Sequence, residues 1–137
     1  MGLVLDSSIV GSWCFPDEAN PVADAAFASV GADEAIVPAL WWFEVRNILL
    51  MGERRGRIDQ AGTAEFLADL EGLPIRIERE PDSGTVLALA RVHRLTFYDA
   101  AYLELARRLS APLATLDRAL ARAARTAAVP LLGEGET

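Results

Sequence analysis

The sequence contains no lysine, one histidine and one cysteine in 137 residues. All 13 basic residues are arginines, and 20 acidic residues outnumber them, which gives a net charge of −7. A single cysteine cannot form an internal disulfide, so the composition is typical of a protein from a reducing cytoplasm. The lack of a cysteine and histidine cluster argues against a zinc site. The excess of negative charge disfavours nucleic-acid binding by the molecule as a whole.

Long hydrophobic runs are also absent. The longest uncharged apolar stretch, residues 35–43, is far shorter than the roughly 18 residues of a membrane helix. No basic residue precedes the apolar run at the N-terminus, which disfavours a secretory signal. The sequence therefore predicts a cytoplasmic protein without a membrane segment. Its content of 52% apolar and 24% charged residues is typical of a globular protein, and we expect one domain over residues 1–137.

Hydrophobic periodicity and capping residues predict strands that alternate with helices. Pro16 ends the first helix, and either Asp17 or Asn20 can cap the second. Strands are predicted at residues 3–5, 35–37, 74–78, 112–115 and 128–132. Helices are predicted at residues 7–14, from the second cap to about 30, and at 40–54, 59–72, 82–93, 98–109 and 117–126. This order predicts an α/β domain whose central parallel sheet has helices on both faces, an α/β/α sandwich.

Four acidic residues fall at the ends of predicted elements or inside an apolar helix. Asp6 ends the first strand, Asp117 follows the fourth, and Asp99 lies in the first turn of a helix. Taken singly, each of these three is better explained as a helix cap or as a charge favoured by the helix dipole. Glu44 differs, because residues 40–51 around it are mostly apolar and a buried carboxylate needs a partner. An arginine ion pair and a metal ion explain Glu44 about equally well.

Taken together, the four acids favour a metal site. The carboxyl ends of parallel strands meet at one edge of an open sheet, where ligands bind. Carboxylates that converge there would repel one another by about 4 kcal/mol per pair, at a separation of about 4 Å and an effective dielectric constant near 20. Divalent cations remove this penalty, and oxygen ligands are typical of Mg²⁺ and Mn²⁺ sites.

Four segments of the sequence resemble the PIN domains, and most closely the VapC-type toxins of bacterial toxin–antitoxin pairs. The segments are LVLDSSIVGSWCFPDE, VPALWWFEVRNILL, LTFYDAAYLELARRL and PLATLDRAL. They occur in the family's order, and the resemblance extends over nearly the whole chain. The resemblance implies a metal-dependent endoribonuclease with acidic positions at Asp6, Glu44, Asp99 and Asp117. It also implies supporting positions at Ser7, Asn47 and Thr115.

The resemblance further implies a reaction, a cofactor and partners. Mg²⁺ held by the carboxylates, for which Mn²⁺ can substitute, lowers the pKa of a water molecule and aligns it with an RNA phosphodiester. The implied partners are RNA, a small VapB-like antitoxin whose C-terminal segment lies across the acidic site, and a second copy in a homodimer. Trp41 and Trp42 point about 100° apart on a helix, so we expect one in the core and the other in the core or at a protein interface.

RNA binding requires positive charge near the acidic site. Arg118, Arg122 and Arg125 fall at positions i, i+4 and i+7 of the last helix and form a stripe that begins beside Asp117. A solvated helix face explains this stripe better than RNA binding does, and the same holds for the arginines within residues 54–57. The position of Arg118 next to Asp117 makes it the strongest candidate of the stripe.

Other classes of protein with a similar architecture fit the sequence less well. A phosphoacceptor receiver domain uses a lysine beside the phosphoryl group, and this chain has none. A haloacid-dehalogenase-type phosphatase has a second aspartate two positions after the first, where this chain has Ser8. Neither glycine-rich nucleotide-binding motif occurs. A catalytically silent PIN-like scaffold or a metal-binding interaction domain is the alternative, against which the four intact acids argue.

Overall fold

A computed structural model describes residues 2–133, in which four strands alternate with seven α-helices. The strands are β1 (Leu3–Leu5), β2 (Ala35–Pro38), β3 (Ile75–Glu78) and β4 (Leu113–Ala114). The helices are α1 (Ser7–Cys14), α2 (Pro21–Ala32), α3 (Ala39–Arg54), α4 (Gln60–Glu71), α5 (Ser83–His93), α6 (Phe97–Leu109) and α7 (Arg118–Thr126). Met1 and residues 134–137, which belong to the predicted domain, lie outside the described residues.

The strands form one parallel sheet in the order β3-β2-β1-β4. β1 pairs with β2 on one side and with β4 on the other. The chain moves outward from β1 through β2 to β3 and then returns across the sheet to β4, so the strand order reverses between β1 and β4. In an open parallel sheet, this switch point forms a crevice at the carboxyl ends of the two strands. Asp6 and Thr115, which directly follow β1 and β4, stand at this crevice.

Helices cover both faces of the sheet, which confirms the predicted α/β/α sandwich. α6 packs on β1, β2 and β4 with α5 and α7 beside it, whereas α1 packs against α2 and α3, which contact the strands. Every residue of β1 and β2 is buried, because strands covered on both faces have apolar neighbours on each side. Full burial of one Val, Leu or Ile side chain stabilises the fold by about 1.5–3 kcal/mol. The two strands β1 and β2, the first of which leads to Asp6, are therefore anchored in the core.

The prediction of a last strand at residues 128–132 is wrong. Residues 128–132 contribute a single bridge, in which Leu131 pairs with Leu113. Pro130 has no backbone N–H to donate, and Ala128 has a φ of 59°. A regular strand therefore cannot run through this segment, although its one bridge extends the sheet beyond β4.

The other predicted elements are confirmed, with boundaries that shift by one or two residues. Asn20 rather than Asp17 caps α2, because its side chain accepts the backbone N–H of Val22 at 2.8 Å. Trp41 is buried in the core and Trp42 is exposed, as their angular separation on α3 predicts. No helix within residues 2–133 is long and apolar enough to cross a membrane.

Candidate active site

Asp6 lies at the crevice between β1 and β4, and it is only 5% exposed. Its backbone N–H donates to the carbonyl of Ala114 at 3.0 Å, which extends the pairing of the two strands. Its Oδ2 accepts hydrogen bonds from the hydroxyls of Ser8 and Thr115, both at 2.7 Å. Asp6 occupies the N-cap position of α1, but its side chain accepts no backbone N–H there. The explanation of Asp6 as a simple helix cap is therefore wrong.

Two hydroxyl groups connect Asp6 to the segment that carries Asp117. Thr115 donates to Asp6 and accepts the backbone N–H of Asp117 at 3.0 Å. Ser8 donates to the same oxygen of Asp6 and accepts the backbone N–H of Leu116 at 2.9 Å. The structure thus places Thr115 beside the acids, as the sequence predicts. Ser8 was not predicted, and its only sequence signal is its position two residues after Asp6.

Glu44 reaches the site from α3 and is partly buried. Its Oε1 accepts a hydrogen bond from the Tyr102 hydroxyl on α6, and Ser7 also hydrogen-bonds to its carboxylate. Burial raises the pKa of Glu44, and these two donors oppose the increase. Within residues 2–133 Glu44 pairs with no arginine, so the ion-pair explanation is wrong there. Sequence reasoning missed Tyr102, because its bond to Glu44 joins distant parts of the chain and has no local signal.

Asp99 and Asp117 both lie where a helix begins, but only Asp117 caps one. The Thr96 hydroxyl caps α6 by accepting the backbone N–H of Asp99 at 3.1 Å. Asp117 caps α7, because its Oδ1 accepts the backbone N–H of Leu120 at 2.8 Å. Helix capping therefore accounts for one oxygen of Asp117, and Thr96 rather than Asp99 is the cap of α6.

The charges of neighbouring acids raise the pKa values of three carboxylates: Asp6, Glu44 and Asp99. Burial is the largest cause of a raised pKa at Asp6, Glu44 and Asp99. The charges of Glu44 and Asp117 further raise the pKa of Asp6, and the charge of Asp99 further raises that of Glu44. Burial together with Asp117 and Asp6 raises the pKa of Asp99 to about 6. The structure therefore brings the four predicted acids into one cluster, which we name the carboxylate cluster.

Of the remaining predicted residues, Ser7 contacts the carboxylate cluster, whereas the others lie on the helices that follow or carry its acids. Ser7 is buried at the start of α1 and contacts Glu44. Asn47 is exposed on α3, one turn after Glu44. The three arginines of the α7 stripe are exposed along that helix, starting next to Asp117: Arg118, Arg122 and Arg125.

The donor set fits a hard divalent cation by its chemistry. All four groups are carboxylates, and the raised pKa values of Asp6, Glu44 and Asp99 indicate that burial opposes their ionisation, which a cation favours. As the side chains stand in the described residues, no three Asp, Glu, His or Cys groups are placed to hold a metal ion. Oxygens of Asp6, Glu44 and Asp117 accept hydrogen bonds from protein donors instead.

Comparison with known proteins identifies the family. The family model of the PIN domain matches residues 3–126, which is most of the chain. The chain belongs to the PIN domain family. This PIN domain is 34% identical over 125 residues to ribonuclease VapC3 of Pyrobaculum aerophilum, and the alignment covers 88% of this chain and 93% of that protein. The resemblance found in the sequence motifs is thereby confirmed.

Two solved structures share the fold of this PIN domain. PAE2754 from Pyrobaculum aerophilum superposes with a TM-score of 0.70 at 24% identity, over 90% of this chain and 84% of that one. VapC20 from Mycobacterium tuberculosis, a toxin that cleaves the sarcin–ricin loop, superposes with a TM-score of 0.60 at 12% identity, over 88% and 94%. At such low identities the superpositions support the fold alone.

Proposed function

We propose that this PIN domain is a metal-dependent endoribonuclease and the toxin of a toxin–antitoxin pair. The observation that carries the proposal is the carboxylate cluster, which joins residues from four separate segments at the switch point of the sheet. The 34% identity to a protein named ribonuclease VapC3 supports RNA as the substrate and an antitoxin as a partner.

Four carboxylates would hold Mg²⁺, for which Mn²⁺ can substitute: Asp6, Glu44, Asp99 and Asp117. When bound, such an ion lowers the pKa of a water molecule and stabilises the negative charge that develops on an attacked phosphodiester. Metal binding in this proposal requires that carboxylates turn towards the ion from the positions described above. The acidic crevice would equally accept a basic side chain of the antitoxin.

Neighbouring hydroxyl groups favour the charged form of the carboxylates, which binds cations, and so oppose part of the effect of burial. The hydrogen bonds from Thr115 and Ser8 lower the pKa of Asp6 and so oppose the effect of burial. The hydrogen bond from Tyr102 acts in the same direction on the pKa of Glu44. Tyr102 itself has a raised pKa because it is buried beside negative charge, so it stays protonated and remains a donor. These hydroxyls orient the acids and also hold the segments of the site together.

The test is incubation of the purified protein with total cellular RNA, in Mg²⁺, in Mn²⁺ and in EDTA, with mapping of the cut ends. We expect cleavage in either metal and none in EDTA. Asp6→Asn, Glu44→Gln and Asp99→Asn should each lower the cleavage rate by orders of magnitude, because each removes a ligand charge. Asp117→Asn should be milder, since one of its oxygens serves as a helix cap.

Asp82→Asn is the matched control for these variants. Asp82 caps α5 by accepting the backbone N–H of Thr85, and asparagine caps about as well as aspartate. Cleavage by this variant should equal that of the wild type. Undiminished cleavage in EDTA would contradict the proposal. Intact RNA together with stabilisation by Mg²⁺ would instead favour the metal-binding interaction domain.

A further inference from the structure

A groove of about 370 Å³ lies between α1 and α3, beside the carboxylate cluster. Its lining includes Ser8, which hydrogen-bonds to Asp6, and Leu116, which precedes Asp117. The same hydroxyl of Ser8 accepts the backbone N–H of Leu116, so these residues form both the edge of the cluster and the near end of the groove. The groove therefore adjoins the carboxylate cluster at Ser8 and Leu116.

One face of α3 leads along the groove away from the acids. Glu44, Asn47, Met51 and Arg55 follow one another at intervals of three or four residues, which places them on one side of the helix. The last three line the groove. At a rise of 1.5 Å per residue, Arg55 lies about 16 Å from Glu44 along the helix axis. On α1, the lining starts two positions after Asp6.

The far end of the groove carries a positive charge that the described residues do not neutralise. Arg57 also lines the groove, but it pairs with Asp17 and Glu18, both at 2.6 Å. The side chain of Arg55 is exposed and forms no hydrogen bond or ion pair within residues 2–133. The groove thus runs from a cluster of carboxylates to a single available guanidinium group.

We propose that this groove binds the single-stranded RNA segment that adjoins the cleaved phosphodiester, with Arg55 bound to one of its phosphates. The inference rests on the proposed function, which places the cleaved bond at the carboxylate cluster. An unpaired guanidinium is a natural partner for a phosphate. Ile48 and Met51 offer an apolar surface to an unstacked base, and the Asn47 amide offers both a donor and an acceptor to its edge.

The charge and continuity of the groove favour RNA as its occupant over a protein segment. An RNA strand repeats a negative charge along its length, so one strand can reach the cluster and Arg55 together. The only acidic side chain in the lining, that of Glu18, is already paired with Arg57. The groove therefore presents one positive charge that is unpaired within residues 2–133, that of Arg55, to a strand that leaves the active site.

The test compares Arg55→Gln with Arg54→Gln. Both arginines are exposed at the end of α3 and unpaired in the described chain, but only Arg55 lines the groove. Binding of a labelled single-stranded oligoribonucleotide that spans a mapped cleavage site is measured by fluorescence anisotropy. All proteins carry Asp6→Asn and are measured in EDTA, so that the RNA stays intact and the background repulsion is the same.

We expect Arg55→Gln to raise Kd roughly three- to tenfold and Arg54→Gln to leave it unchanged. The logarithm of the binding constant falls linearly with the logarithm of the salt concentration. The magnitude of this slope should decrease by about 0.7 for Arg55→Gln and stay the same for Arg54→Gln. A decrease of about 0.7 corresponds to the loss of one phosphate contact on a single strand. Equal Kd values and equal slopes for the two variants would overturn the inference and would favour a protein segment as the occupant of the groove. Failure of the proposed function is distinguishable, because cleavage would then survive EDTA and Asp6→Asn.

Discussion

The carboxylate of Asp6 experiences opposing influences on its pKa. Burial raises the pKa first, and the charges of Glu44 and Asp117 raise it further. The hydroxyls of Thr115 and Ser8 lower it, but the net direction is upward. In the metal-free protein, the charged form of Asp6 therefore destabilises the fold, and a cation in the cluster would relieve this cost.

Asp6→Asn tests whether the carboxylate serves the cluster. The amide oxygen of asparagine can accept from both hydroxyls, while the buried charge is removed. In EDTA we expect the free energy of unfolding to rise by about 1 kcal/mol. Mg²⁺ should then stabilise the wild type more than the variant, because ligand binding to the native state raises stability. Thermal unfolding in EDTA and in millimolar Mg²⁺ measures both effects. A variant less stable than the wild type in EDTA would contradict a ligand role.

The raised pKa of Asp99 should make the stability of the metal-free protein depend on pH. Its pKa is raised from 3.8 to about 6, by burial first and then by the charges of Asp117 and Asp6. The native state therefore binds this proton more tightly than the unfolded state does. The resulting stability is complete below pH 3.8 and is lost as the pH rises through 6. As the pH rises over this range in EDTA, the Tm of the wild type should fall relative to the Tm of Asp99→Asn. Parallel Tm curves for the two proteins would rule the effect out.

At the scale of elements, the pattern of apolar residues predicts the strands of the sheet, because buried strands require apolar side chains. β1 and β2 are covered on both faces, so only continuous apolar runs can occupy them. The pattern fails for residues 128–132, where Leu131 and its neighbours are apolar enough for a strand. Backbone chemistry decides there, since Pro130 lacks a donor.

The acids of the site were predictable, but most of their hydrogen-bond donors were not. An acid at a strand end or in an apolar helix conflicts with its local surroundings, and that conflict is visible in the sequence. The sequence around Tyr102 shows no such conflict, because Tyr102 is an ordinary aromatic residue on the buried face of α6. Its bond to Glu44 spans 58 positions and depends on how the sheet positions α6 and α3, which both contact β2. Such a contact has no local signal.

Thr115→Val tests the link between β4 and the site. Valine keeps the shape of threonine but removes the hydroxyl that donates to Asp6 and accepts the backbone N–H of Asp117. Because buried polar groups then lose a partner, we expect a loss of about 1–3 kcal/mol in the free energy of unfolding and slower RNA cleavage. Thr126→Val, at an exposed threonine of α7, should cost less than about 0.5 kcal/mol. Urea unfolding and cleavage assays compare them, and equal losses would exclude a special role for Thr115.

At the scale of the whole molecule, α3 exposes an apolar patch formed by Trp42, Phe43 and Leu50, with exposures of 42%, 69% and 44%. The two aromatic rings pack edge to face at 5.1 Å. Such a patch is typical of protein interfaces and supports the proposed homodimer. Light scattering at micromolar concentration should show a dimer, and Phe43→Arg should shift it towards the monomer. Val92→Arg, at an apolar residue of α5 that is 75% exposed, should leave the mass unchanged. A monomeric wild type would contradict the dimer.

The bond between Thr115 and Asp6 joins residues that are 109 positions apart, and this separation has a consequence for synthesis. A ribosome adds about 5–20 residues per second, so β4 emerges about 5–20 s after β1. By the end of that interval the nascent chain carries Asp6, Glu44 and Asp99, but the side of β1 that faces the crevice still has no neighbouring strand. We therefore expect the proposed ribonuclease activity to appear only after β4 has left the exit tunnel and paired with β1.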